Sequence, residues 1–171
     1  MAEPVAEMPY MPDYGVRAET WHPLPWSWAA EKLVSGRNYW LVTASAGGRP
    51  HALPVWAVWD DVEQRLAFSC APRSRKARNL RANPQVTVAV DDTVECLSLE
   101  GAAVILEDEA RRQVWARRYV DKYRAHSAGL DEDFVLGGLV VEVIPEKALA
   151  VIEREVEFAT RPTRWRFDPR S

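Results

Sequence analysis

Five cations crowd residues 73–81 of this 171-residue chain: Arg73, Arg75, Lys76, Arg78 and Arg81, within the segment FSCAPRSRKARNLRANP. The chain as a whole leans the other way, with 22 Lys and Arg against 25 Asp and Glu. Ser74 stands just ahead of Arg75 and Lys76, and the pattern predicts a short helix with Ser74 as its N-cap. The first backbone N–H groups of a helix have no carbonyl to donate to and can bind an anion. Arg75 adds a planar fork and Lys76 a compact point charge at the same place. A hydroxyl, a helix start and two cations together suit a phosphate group. The competing reading is a helix face whose arginines are simply solvated, and the residue types alone leave both readings open.

Magnitudes limit what such a cluster does by itself. Three charge-assisted hydrogen bonds, at about 1.5–3 kcal/mol each, are set against an association cost that starts at about 4 kcal/mol. A tightly held ligand must therefore also bury something flat and apolar. The stretch LPVWAVWD (53–60) offers a wall. Strand alternation places Val55, Ala57 and Trp59 on one face, and Trp56 and Val58 on the other. Taken singly, each of these residues reads first as ordinary core.

Other reactive side chains give weaker signals. His22, His51 and His126 are scattered singly, without metal-ligand spacing. His51, at the entry to the Trp56 strand, reads either as a residue reaching a substrate or as a strand-end histidine. Cys70 and Cys96 form no disulfide framework or zinc motif, and Cys70 reads as a small buried residue. Tyr119 and Tyr123 read as packing. A net charge of −3 and a pI near 5.7 argue against a general nucleic-acid or membrane binder. No apolar run is long enough to span a bilayer, and the N-terminus lacks a secretory pattern, so the cytoplasm is the expected location.

The elements that must position these residues follow from pattern. Residues 1–20, with Pro4, Pro9 and Pro12 and no periodicity, read as a flexible arm, and 21–171 as one domain with a C-terminal tail. PWSWAAEKLVSG predicts a helix with Ser27 as a candidate N-cap and Gly36 as its stop. Strands are expected at 38–45, 51–60, 66–71, 85–90, 95–106, 138–145 and 148–153, with a bulge or bend at Gly101. Acidic residues open an amphipathic helix over 108–125, with Val114, Trp115 and Tyr119 on its apolar face. The expectation is a mainly β fold with two helices, forming a small, largely antiparallel barrel.

GRPHALPVWAVW, LAFSCAPRSRKARNLRANPQVTV and LSLEGAAVIL together resemble the pyridoxamine 5'-phosphate oxidase-like flavin and deazaflavin oxidoreductases. The likeness runs from about Asn38 to Ile152, and Ser74-Arg75-Lys76 is its most specific part. It implies a dimeric split β-barrel with the cofactor in a groove between subunits. It implies that Pro54, Val55, Trp56 and Ala57 run beside the ring system, mainly through backbone groups, with Ser69 and Cys70 near the ribityl chain. Ser74, Arg75 and Lys76 would hold the phosphate, and Asn79 would support the turn. Cys96 falls where pyridoxamine-phosphate oxidases proper carry a glutamine, and Trp59 where they hold a lysine for substrate. Their Arg and His near the C-terminus have no counterpart in TRWRFDPRS, so vitamin-B6 oxidation is not expected. The resemblance implies hydride transfer from reduced coenzyme F420 to a small conjugated acceptor, since Arg73, Arg78 and Arg81 exceed what one phosphate needs. Flavin mononucleotide (FMN) is the alternative cofactor, and a flavin- or tetrapyrrole-binding protein without turnover is the alternative class. A homodimer is expected, with neither nucleic acid nor membrane as a partner.

Overall fold

Antiparallel pairing joins every strand of the computed structural model, which describes residues 2–168. The strands are β1 (Val5–Glu7), β2 (Tyr39–Ala44), β3 (Pro50–Val55), β4 (Ala57–Asp60), β5 (Arg65–Cys70), β6 (Gln85–Val90), β7 (Glu95–Ile105), β8 (Leu139–Ile152) and β9 (Thr163–Arg166). The helices are α1 (Trp26–Ser35), α2 (Arg75–Ala82), α3 (Glu109–Tyr123), α4 (Glu132–Leu136) and α5 (Glu155–Thr160). β3, β2, β6, β7 and β8 pair in that order; the first half of β8 pairs with β5, and β5 with β4. Only Trp56 separates β3 from β4, so the circuit closes through that residue. The result is the small antiparallel barrel expected from pattern, in the split form that the family resemblance implies.

Alternation sorts the side chains into two cores. Val55, Ala57 and Trp59 face the barrel interior with Leu41, Leu66, Leu99 and Val143. Trp56 and Val58 point the other way, against Trp115, Tyr119 and Tyr123 of α3. Inside the barrel, Trp26 of α1 meets Trp59, Trp165 and Phe167 edge-on, at ring-centroid distances of 6.1, 5.6 and 5.3 Å. Such contacts add to the area the rings bury.

Several elements differ from expectation for local reasons. Residues 51–60 form two strands, not one, because the backbone of Ala57 turns to bond with α3. Residues 138–153 form one strand, not two. β8 runs through Pro145, which sits at a bulge where the register shifts between Glu100 and Gly101 of β7. A Cβ on Gly101 would lie 2.1 Å from the Ile144 carbonyl oxygen, so a side chain there is excluded. The bulge itself was expected. α1 starts two residues early, with Pro25 as its N-cap and no side-chain cap, so Ser27 lies inside the helix. Among the described residues five α-helices form, where two helices were expected; α4 and α5 have only 5 and 6 residues, too few for a periodic signal. The tail supplies β9, which pairs with β8 and with β1 from the N-terminal arm. Glu7 there accepts hydrogen bonds from Arg164 and Arg166, each at 2.8 Å.

Candidate functional site

Ser74 caps α2, its Oγ accepting the Ala77 N–H at 3.1 Å, while its own N–H donates to the Ala71 carbonyl at 2.9 Å. The N–H groups of Arg75 and Lys76 occupy the first helical positions and have no carbonyl within the helix. Among the described residues, no carboxylate pairs with Arg73, Arg75, Lys76, Arg78 or Arg81. Two of them brace the loop before the helix: Arg78 donates to the Arg73 carbonyl at 3.1 Å and Arg81 to the Pro72 carbonyl at 3.0 Å. Directed N–H groups, a hydroxyl and unneutralised cations form a donor set that fits a phosphate.

Asn79 and Cys70 tie this helix to the barrel. Buried Asn79 donates to Thr43 Oγ1 at 2.9 Å, which anchors α2 on β2. Burial pushes the Cys70 thiol up, against a hydrogen bond from Ser74 and the nearby charges of Lys76 and Arg81. Cys70 is thus a buried group behind the cap and not an activated nucleophile. Ser69 donates its hydroxyl to the Val135 carbonyl at 3.1 Å, so that oxygen is committed to the end of α4.

The segment Pro54–Ala57 lies on the strands next to these. Pro54 is exposed, Val55 is buried and Trp56 is half-buried, its indole stacked on Tyr123 at 4.5 Å and an interplanar angle of 2°. The backbone of Ala57 is already engaged. Its N–H donates to Tyr123 Oη at 2.9 Å, and its carbonyl accepts from Lys122 Nζ at 2.9 Å. Ala57 is therefore a structural anchor, and the backbone left for a ligand lies at Pro54 to Trp56. Sequence reasoning passed over Lys122, which sits on a charged helix. Its Nζ also donates to Tyr39 Oη at 2.8 Å, and burial lowers its pKa to about 8. Only the 83-residue separation from Tyr39, spanned by the fold, reveals it.

Sequence reasoning also missed Arg49 and Ser45. They lie in the β2–β3 turn, and with Pro50, His51, Arg75 and Asn79 they line a pocket of about 180 Å³ beside α2. The Gly47-Gly48 pair was the available signal, since it marks a tight turn that aims Arg49 back at the sheet. The structure thus brings Arg75, Asn79 and His51 together. Among the described residues no cluster of His, Cys, Asp and Glu could hold a metal, and no helix is long and apolar enough to cross a membrane.

The fold is a split β-barrel with a donor-rich helix start braced against it. The pattern of the pyridoxamine 5'-phosphate oxidase family matches residues 29–166, and the chain belongs to that family. Among solved structures, the chain is similar to a conserved hypothetical protein from Mycobacterium tuberculosis, with TM-score 0.68 and 21% identity over 81% of this chain and 90% of that one. It is similar to an F420 reductase, with TM-score 0.55 and 24% identity over 69% and 94%. It is also similar to HutZ, the heme storage protein from Vibrio cholerae, with TM-score 0.53 and 18% identity over 70% and 89%. At these identities the likenesses show the fold. No curated protein matches the chain.

Proposed function

We propose that the protein is an oxidoreductase that binds coenzyme F420 and passes a hydride to a small conjugated acceptor. The observation that carries this reading is the set of cations around the start of α2 left without carboxylate partners. The F420 reductase among the similar structures supports the same choice. Ser74, Arg75 and Lys76 would hold the phosphate, with Asn79 bracing α2 on β2. Pro54, Val55 and Trp56 would lie beside the ring, on a segment that Ala57 anchors to α3, and Ser69 and Cys70 would flank the ribityl chain. When bound, the deazaflavin would supply the hydride, and these residues would hold and orient it. A second copy of the chain would complete the groove, as the family resemblance implies.

Native mass spectrometry of the protein with F420, FMN and heme tests the cofactor and the dimer together. The expected species is a dimer carrying F420. Turnover of reduced F420 with a panel of enones and quinones then tests the reaction. The similarity to a heme storage protein favours one rival, a tetrapyrrole binder without turnover. Heme retention with no F420 binding would establish that rival.

A further inference from the structure

The β2–β3 hairpin builds a second positive recess along the side of α2. Gly48 adopts φ +79°, and its N–H donates to the Ser45 carbonyl at 2.8 Å. Ser45 Oγ accepts the Arg49 N–H at 3.1 Å. These bonds fix the turn that carries Arg49 to the recess lined by Ser45, Pro50, His51, Arg75 and Asn79. Beneath it lies the Asn79–Thr43 hydrogen bond, and Thr43 pairs across the sheet with His51. Neither Arg49 nor Arg75 meets a carboxylate among the described residues. His51 Nδ1 is buried there without a hydrogen-bond partner. Two guanidinium groups at one recess repel each other unless an anion lies between them.

Size and spacing specify what that anion is. At about 180 Å³ the recess is too small for a ring system, since ligand pockets run to about 300–1,000 Å³, but it suits one acidic group. Arg75 stands at the first position of α2 and Asn79 four residues on, about 6 Å along the axis. One acidic group at the helix start and a second in the recess would thus be about a helical turn apart. Arg75 is able to serve both.

We infer that the recess of Ser45, Arg49, His51, Arg75 and Asn79 binds a second acidic group, carboxylate or phosphate, of the ligand whose first phosphate sits at the start of α2. This rests on the cofactor reading above and adds a selection rule to it. Ligands with two acidic groups along one tail are preferred to FMN, whose single phosphate ends its chain. A deazaflavin offers a phosphodiester followed by glutamate carboxylates, and flavin adenine dinucleotide (FAD) offers a diphosphate.

Equilibrium titration of wild type, Arg49→Ala, Arg49→Lys and Arg75→Ala with F420, FAD and FMN tests this by fluorescence. Arg49 is exposed on a turn, and circular dichroism verifies that its variants fold. Arg49→Ala is expected to weaken the two-acid ligand by about tenfold to a hundredfold and leave FMN unchanged. Arg49→Lys should recover part of that loss, and Arg75→Ala should weaken every ligand that binds. Loss confined to F420 identifies a carboxylate in the recess; loss for FAD identifies a phosphate. If Arg49→Ala weakens FMN equally, or weakens nothing, the second subsite is overturned while the cofactor reading stands. If wild type binds none of the three, both fall.

Discussion

On α3, Arg111 donates to Glu142 at 2.8 Å and to both carboxylate oxygens of Glu63, and Arg118 pairs with Asp60. Arg112 pairs with Glu109 at 2.8 Å, and Arg124, just past the helix end, pairs with Asp121 at 2.9 Å. On α2 and the loop before it, five cations face no carboxylate among the described residues. The residue types are the same and their electrostatic surroundings are opposite. Burial opposes ionisation of Asp60, yet the Glu63 N–H and the Arg118 guanidinium hold its carboxyl below the usual range. The α3 charges are thus satisfied within the fold and strengthen it. Apart from the loop carbonyls that Arg78 and Arg81 reach, the α2 charges repel one another and gain from a bound anion. An arginine-rich helix declares its role through its partners, not its composition.

That contrast predicts opposite mutational profiles. Glu142 is buried and accepts from both Arg111 and the Trp115 indole N–H, the latter at 2.7 Å. Glu142→Ala leaves the Trp115 indole N–H and the Arg111 Nε–H without their acceptor, while Glu63 still pairs with Arg111, and is expected to lower stability by about 1–3 kcal/mol in urea denaturation. Arg75→Ala should lie within about 0.5 kcal/mol of wild type. Comparable losses for the two variants would erase the distinction between the helices.

Lys122 of α3 is a buried cation with no carboxylate partner among the described residues, and pH exposes it. Burial lowers its pKa to about 8, whereas a lysine in the unfolded chain titrates near about 10.4. Between these values the unfolded chain binds the extra proton, so this residue makes stability rise with pH. Buried Cys70 acts in the opposite direction, since its raised pKa lets the unfolded thiol ionise first. Comparison with Lys122→Met cancels that shared contribution. Denaturation from pH 8 to about 10 should show wild type gaining on the variant. A constant difference would mean that Lys122 titrates as an ordinary surface lysine.

Where local chemistry suffices, the sequence was readable. The cap at Ser74, the alternation of Val55 to Trp59 and the bulge at Gly101 each follow from a few neighbouring residues. The break at Trp56 was hidden, because it depends on Tyr123 and Lys122 drawing the Ala57 backbone toward α3. Pairing of β1 with β9 joins chain ends whose three- and four-residue strands are too short to alternate visibly. In the candidate site, Ser74, Arg75, Lys76 and Asn79 stood out because they are consecutive or one turn apart. Arg49 did not, since a lone turn arginine acquires meaning only from α2 packed above it.

A smaller effect separates Arg78 and Arg81 from Arg75 and Lys76. The former are exposed, each with one bond to the loop, and act on a ligand tail mainly at a distance. Raising salt from 0.1 to 1 M shortens the screening length from about 10 Å to about 3 Å. F420 affinity should fall with salt and rise with tail length, while FMN affinity changes little. Equal salt dependence for the two ligands would assign Arg78 and Arg81 to bracing the loop alone.

The most direct measurement is a cofactor titration of wild type, Arg75→Ala, Lys76→Ala and Arg124→Ala at fixed low salt. Arg75→Ala and Lys76→Ala are each expected to weaken F420 binding by about 10- to 150-fold, with unfolding curves unchanged. Arg124→Ala, whose cation is already paired, should bind as wild type does. Unchanged affinity in both α2 variants, or an equal loss in Arg124→Ala, would contradict an anion site at the start of α2.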